Sequence, residues 1–356
     1  MVRAYSWPAS PHENAFIDTV CDMLARAGVS VKPGRPTQWG TPFQTAELYI
    51  LHWPDAVFWN RKSLPRLWFR VCLVLANLMV LKARGTKLVW FVHNLQPHEL
   101  TPARLRAWNF YAASLARLTD GWVTLSPSTF KPVTQRYASL LRKSHTFIWH
   151  PPYRNSYCGD RMSARSELGL PPDRLVYGHA GQIRAYKGLL PFADRFESLA
   201  PKGARLLIAG NPYDDIGTAM SRLAAVSDCL DWRAGTLSQV AFDRILLALD
   251  VFVAPYSRFL HSGALVHALS RGCVVVAPRA PFTEDLADAL GDDWVVLYDK
   301  ALTAETLERA RQAVCRLAGA FPDLSTFQPE SNLPRLRELL QRIGASPRLA
   351  HTDGHV

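Results

Sequence analysis

A chain of 356 residues, 48% hydrophobic and 20% charged, is too long for one ordinary core and too apolar for a disordered segment, and it suits two α/β domains. Its six cysteines are scattered, with no CxxC and no paired His spacing, which argues against a disulfide framework or a zinc site. The net charge of +11 is lopsided: residues 1–170 hold 21 Lys/Arg against 9 Asp/Glu, whereas residues 171–356 hold 20 against 21, so only the first half calls for an anionic partner.

No charged segment followed by an apolar run marks a signal peptide at the N-terminus, so the cytoplasm is the expected compartment. Val2–Trp7 reads as a first strand, and Pro8–Pro11 as a turn. Glu13–Ala27 carries Phe16, Ile17, Val20 and Leu24 at helical spacing and is closed by Gly28. A Gly/Pro-rich connection over 33–42 leads to a strand, Glu47–His52, that ends in His52-Trp53-Pro54-Asp55. The next stretch mixes Trp59, Trp68 and Phe69 with Arg61, Lys62, Arg66 and Arg70, then becomes almost wholly apolar over 71–81. That clean run is short for a membrane span. It is either a buried helix or one whose aromatic, cationic leading end lies on an anionic bilayer. Lys87–His93 is a strand running into Asn94-Leu95-Gln96-Pro97-His98-Glu99, and Thr101-Pro102 starts a helix to about Leu118. Asp120–Ser126 and Ser144–Trp149 are further strands, with a helix capped at Ser126–Ser128 between them, and 151–172 reads as a linker.

The second half alternates more regularly. Strands are expected near 175–177, 204–209, 230–232, 250–254, 273–277 and 295–298, with helices near 189–199, 214–226, 238–248, 262–271, 303–318 and 333–343. Such alternation with short connections means parallel sheets wound with helices on both faces. The fold expected is α/β, two Rossmann-like domains facing each other across a cleft. The first covers 1–150, the second 173–320, and a C-terminal helix and tail cover 321–356.

Ligands of such sheets bind beyond the carboxyl ends of the strands, and several polar groups stand there. In the second half, Val176–Gly188 joins an apolar run to Gly181, Arg184 and Lys187 and then to a helix start, which together make an anion site. Asn211, Tyr256 and His261-Ser262-Gly263 follow equivalent strands. Two cations and a helix start can compensate a departing diphosphate without a metal, and no Asp-x-Asp occurs in the chain. In the first half, His93 at a strand end, Glu99 in a Pro-fixed loop and Asp55 are candidates for a general base, with His52, Trp53 and His98 beside them.

These motifs carry a resemblance. His52-Trp-Pro-Asp55, His93-Asn-Leu-x-Pro-His98-Glu99, Ile183-Arg-x-Tyr-Lys187-Gly188, Gly210-Asn-Pro, Pro255-Tyr256, His261-x-Gly263 and Trp294-Val-Val-Leu-Tyr298 resemble, in order over most of 50–300, a glycosyltransferase family of GT-B fold, GT94. That family contains the GDP-mannose:glycolipid 4-β-D-mannosyltransferase of xanthan-type exopolysaccharide assembly. The resemblance implies a peripheral membrane enzyme on the inner face of the plasma membrane. It would move mannose with inversion from GDP-mannose to a polyprenyl-diphosphate-linked oligosaccharide, without a metal. Arg184, Lys187, Ser262 and Gly263 would hold the diphosphate, and His93–Glu99 would face the acceptor, with Glu99 preferred as the base, then His93, then Asp55. Retaining GT-B transferases of the GT4 type carry two glutamates where this chain has Phe259 and His267, which weakens that assignment.

Two other donors or reactions stay open: a UDP-sugar transferase (glucuronosyl or glucosyl), and a sugar-nucleotide 2-epimerase of the same fold. The basic, aromatic first half speaks for a lipid acceptor. Nucleic acid is disfavoured because the aromatics lead into an apolar run instead of alternating with cations. A nicotinamide cofactor is disfavoured because no G-x-G-x-x-G follows a strand.

Overall fold

The computed structural model describes residues 1–12, 14–38, 40–43, 45–59, 63–97, 100–213 and 215–345. His98 and Glu99, both singled out above, lie outside the described residues. The chain divides into one unit of Met1–Pro151 with Ser325–Val356, and a second of Pro152–Leu324.

The first unit opens with β1 (Val2–Trp7), α1 (Ala15–Arg26), β2 (Val29–Pro33) and β3 (Leu48–Leu51). It continues with α2 (Leu64–Ala83), β4 (Lys87–Phe91), α3 (Pro102–Leu118), β5 (Gly121–Thr124), α4 (Phe130–Arg136) and β6 (Ser144–Phe147). The strands form one parallel sheet in the order β2-β1-β3-β4-β5-β6. Neighbours β1 and β3 are separated in the chain by β2, so the winding reverses there, and crevices that bind ligands open at such a point. α1 forms because Phe16, Ile17, Val20, Met23 and Leu24 make one buried stripe and Asn14 accepts a capping bond from the Phe16 N–H at 3.0 Å.

α2 is long and apolar enough to cross a membrane by length and composition alone. Its Leu67, Val71, Val74, Leu75, Leu78 and Leu81 are nevertheless buried in the unit, and buried Asn77 donates to the carbonyls of Pro36 (2.8 Å) and Gln38 (2.9 Å). The opposite stripe, with Trp68, Phe69, Met79 and Val80, faces outward.

The second unit comprises α5 (Arg161–Glu167), β7 (Val176–Ala180), α6 (Leu189–Leu199), β8 (Arg205–Gly210), α7 (Ile216–Ala224), β9 (Leu230–Ala234) and α8 (Gln239–Ala248). After these come β10 (Val251–Val253), α9 (Gly263–Leu269), β11 (Val274–Pro278), α10 (Pro281–Leu290), β12 (Val295–Tyr298) and α11 (Ala304–Leu317). Its parallel sheet runs β12-β11-β10-β7-β8-β9, with the reversal between β7 and β10. Within the stretch expected to be a linker, α5 is tied into this unit: Arg161 and Arg165 each meet Asp250 at 2.5 Å, and Asp250 also accepts from the Val176 N–H at 2.8 Å. That carboxylate, placed just before β10, anchors 161–165 to the sheet.

The last helix, α12 (Pro329–Arg342), belongs to the first unit, where Leu333, Leu336, Leu339 and Leu340 share a core with α1 residues and with Leu48, Ile50, Val89 and Phe91 of the sheet.

Candidate active site

In the second unit the polar groups gather at the carboxyl ends of β7, β8 and β10, beside the winding reversal. The loops after β7 and β8 are stitched together: Gly181 N–H donates to Ala209 O (3.0 Å), Ile183 N–H to Asn211 O (2.9 Å), and Tyr213 N–H to Ile183 O (2.9 Å). This stitching demands glycine at 210, which has φ +146°; a Cβ there would fall 1.6 Å from Gly181 O. The loop after β10 joins them through Ser257, whose N–H donates to Tyr186 O at 2.8 Å. A Cβ on Gly188 would meet Pro255 O at 2.4 Å, so the two loops touch backbone to backbone only because residue 188 has no side chain.

Behind this rim sits Lys187. Its ammonium is buried, 5.4 Å from the centre of the Tyr256 ring and 3.3 Å from His179 Nε2. Burial lowers its pKa to about 7, and the charge of Arg184 adds to the effect. Arg184 lies with its guanidinium 3.8 Å over the Tyr213 ring. Gly181, at φ +124°, lies against the Lys187 ammonium: a Cβ there would stand 3.8 Å from Nζ and 3.5 Å from the Phe242 ring, and would meet no backbone. The structure thus brings Gly181, Arg184, Lys187, Asn211 and Tyr256 to one rim. Ser262 precedes the short α9 without a side-chain capping bond, and burial pushes the Tyr256 hydroxyl up against the opposing effect of Ser262. His261 packs edge-on against Phe282 at 5.5 Å.

His267 lies within α9 and His179 within β7, so neither stands at a strand end along the sequence. Buried His267 donates from Nε2 to Asp243 Oδ1 at 2.6 Å and is stacked between Tyr153 (4.5 Å) and Phe242 (4.9 Å). Burial raises the Asp243 carboxyl, but bonds from His267 and the Ser156 N–H, with the charge of Arg271, hold it down at about 2. Phe242 reaches back to the Gly181 turn, 3.5 Å from the position of its missing Cβ. Only the fold could reveal this triad, since it joins α8 to α9.

In the first unit, the loops after β1, β3, β4 and β6 bring His12, His52, His93 and His150 around Phe16 and Trp53. Trp53 stacks on His93 at 4.4 Å, and Phe16 meets the edges of His93 (5.1 Å) and His52 (5.9 Å) and lies 4.8 Å from His150. His52 is 1% exposed, with Nδ1 3.3 Å from His93 Nε2. Burial, helped by His12, depresses its pKa to about 3, so it stays neutral. Asp55 is enclosed as well: it accepts from Trp59 Nε1 at 3.3 Å, and burial raises its pKa to about 6 against that bond. His12 and His150 gave no signal in the sequence, because nothing local places either on the ring of Phe16.

Two parallel six-stranded units of this kind, with their polar loops at the carboxyl ends of the strands, define the GT-B glycosyltransferase fold. Among solved structures the chain is similar to Anabaena HepE in complex with UDP and glucose (TM-score 0.58, 13% identity, 96% of each chain). It is also similar to WaaG, a glycosyltransferase involved in lipopolysaccharide biosynthesis (TM-score 0.60, 13% identity, 93% of this chain and 98% of that one). No family model matches the chain. The GDP-mannose:glycolipid 4-beta-D-mannosyltransferase of Xanthomonas campestris pv. campestris is 30% identical over 301 residues, 82% of this chain and 77% of that one. The chain belongs to that family and is a glycosyltransferase.

Proposed function

We propose that the protein is a metal-independent, inverting mannosyltransferase that takes mannose from GDP-mannose and joins it in β-linkage to a lipid-linked oligosaccharide during exopolysaccharide or glycolipid synthesis. The observation that carries the reading is the ammonium of Lys187, buried beside the glycine turn at Gly181 with Arg184 on the same rim. A cation held there, with the chain's glycines letting backbone come close, suits a diphosphate. The name of the Xanthomonas relative, with its GDP-mannose donor and glycolipid acceptor, supports the donor and the acceptor class assigned here.

In this reading an acceptor hydroxyl attacks the anomeric carbon in line. The bond to the diphosphate oxygen breaks, and the nucleoside diphosphate departs with its growing charge met by Lys187 and Arg184. No metal is needed where two cations do this work; Ser262 and Gly263, at the start of α9, would line the same ligand. Glu99 takes the hydroxyl proton. His93, whose Nε2 is occupied by His52, orients the acceptor, and Trp53 offers the sugar a flat apolar face.

The enzyme would work as a peripheral protein on the inner face of the plasma membrane. The outward stripe of α2 supports this: Trp68 and Phe69 stand there with Phe110 of α3, 5.6 Å from Trp68, and the exposed Arg66 and Arg106 flank them for anionic headgroups. A thermal-shift panel of GDP, UDP, ADP and dTDP with their sugars tests the donor. Stabilisation by GDP and GDP-mannose is expected, and a UDP preference overturns the mannosyl assignment. Release of β-mannoside on a lipid-linked acceptor, with no turnover in its absence, separates the transferase from an epimerase.

A further inference from the structure

His179 is buried on the central strand of the second sheet, and its two ring nitrogens have different partners. Nδ1 lies 3.1 Å from the carbonyl of Val253, which can only accept, so Nδ1 carries the proton. Nε2 is then a bare lone pair, and it is the atom 3.3 Å from Lys187 Nζ. The imidazole cannot take a second proton there: burial and the neighbouring lysine hold its pKa well below the ordinary value. The remaining groups facing Lys187 are the Tyr256 ring, from the loop after β10, and the charge of Arg184, from its own turn. No carboxylate among the described residues pairs with this ammonium. A buried lysine with a neutral acceptor, an arginine near it and no counter-ion among the described residues is suited to receive an anion.

We propose that His179 is a positioning residue that holds Lys187 on a neutral nitrogen in the empty and the occupied donor site alike, and that the donor's diphosphate supplies the counter-ion, so that binding above neutral pH draws a proton from solvent onto Lys187 Nζ. The inference rests on the reading of this rim as the diphosphate site. It is distinct from that reading, because a lysine already charged in the empty site would bind diphosphate with no proton uptake.

The sign follows from linkage. With Lys187 titrating near 7 when free and held charged across the tested range when paired, binding at pH 6 takes up about 0.1 proton, and binding at pH 8 about 0.9. Affinity therefore falls as pH rises above 7, approaching about tenfold per unit. The experiment is isothermal titration calorimetry of the full-length protein with GDP-mannose, whose diphosphate stays ionised throughout, in buffers of different ionisation enthalpy between pH 6 and 8.5. UDP-glucose is the second probe if it is the nucleotide sugar that binds. His179→Leu removes the acceptor and should move the proton-uptake curve to lower pH and weaken binding at pH 8 about tenfold, whereas His179→Gln, which can accept from Lys187 and donate to Val253, should restore both. Wild-type binding without proton uptake across this range, while Lys187→Met still weakens it more than tenfold, overturns the inference and leaves the site reading intact. Binding unaffected by Lys187→Met overturns the site reading itself. If His179→Leu fails to fold, the wild-type proton count and the Gln variant still decide.

Discussion

Nδ1 of His52 stands 3.3 Å from Nε2 of His93, so one ring gives the other a hydrogen bond. His52 Nε2 is buried with no partner among the described residues, and leaving a bare lone pair there costs less than leaving an N–H. His52 is therefore the donor through Nδ1, and His93 Nε2 is already engaged when the acceptor arrives. On the proposed function, His93 orients the acceptor and Glu99 takes the proton. His93→Gln should keep turnover within about tenfold, whereas Glu99→Gln should lower it by about 10³, with nucleotide affinity unchanged in both. Sugar-transfer kinetics with parallel nucleotide titrations check this, and a His93→Gln enzyme as dead as Glu99→Gln would return the proton to His93.

Asp55 carries a pH signature. Its pKa, about 6 in the folded protein, exceeds the unfolded carboxylate value of about 3.9. The native state binds more protons than the unfolded chain between those values, so stability falls as pH rises through that window and the cost is complete above pH 6. Asp55→Asn should stabilise the protein by on the order of 2 kcal/mol at pH 8 and by almost nothing at pH 4. Denaturant titrations at the two pH values measure it; equal effects at both would mean that the carboxyl is not held in its neutral form.

The outward stripe of α2 should behave as a lipid-facing surface. Phe69 is 58% exposed and Trp68 37%, an unusual outlay of aromatic area on a protein surface. Trp68→Glu with Phe69→Glu should reduce co-sedimentation with anionic vesicles about tenfold and leave folding and nucleotide binding untouched. Raising salt should weaken binding of the wild type, through Arg66 and Arg106, to a smaller degree than the double substitution. Unchanged sedimentation would mean that this stripe of α2 does not face lipid.

Asp250 should be the most sensitive ion-pair position. Its two oxygens serve Arg161, Arg165 and the Val176 N–H, and Arg165 is 5% exposed. Asp250→Ala leaves a buried guanidinium without its anion, at a cost of about 3–5 kcal/mol. Chemical denaturation detects it, and a loss below about 1 kcal/mol would mean that Arg165 finds solvent instead.

How far the sequence could be read depended on where the information lay. β3, β4, β7 and β8 announced themselves as apolar runs because a parallel strand is buried on both faces. β2 did not: it is an edge strand with only Val29 fully buried, and it ends on Pro33, so its composition is that of a loop. α10 was missed between two strands because its acidic Glu284, Asp285 and Asp288 dilute the stripe of Phe282, Leu286 and Ala287. Arg184 and Lys187 were legible because glycines and cations cluster locally after an apolar run. The partners that give these residues their chemistry were not. His179 meets Lys187, and His52 meets His93, across separate strands, and no spacing along the chain encodes such a meeting.

α12 closes the core of the first unit with Leu333, Leu336, Leu339 and Leu340, although 173 residues of the second unit separate it from the rest of that unit. During synthesis the part made first must therefore wait until the part made last has left the ribosome. Until then the apolar surfaces of Leu48, Ile50, Val89 and Phe91 that face α12 are incompletely covered, while the second unit has every residue it needs. The later-made unit thus has its full set of residues before the earlier-made one does: a chain stopped short of α12 carries every residue of the second unit and lacks part of the core of the first.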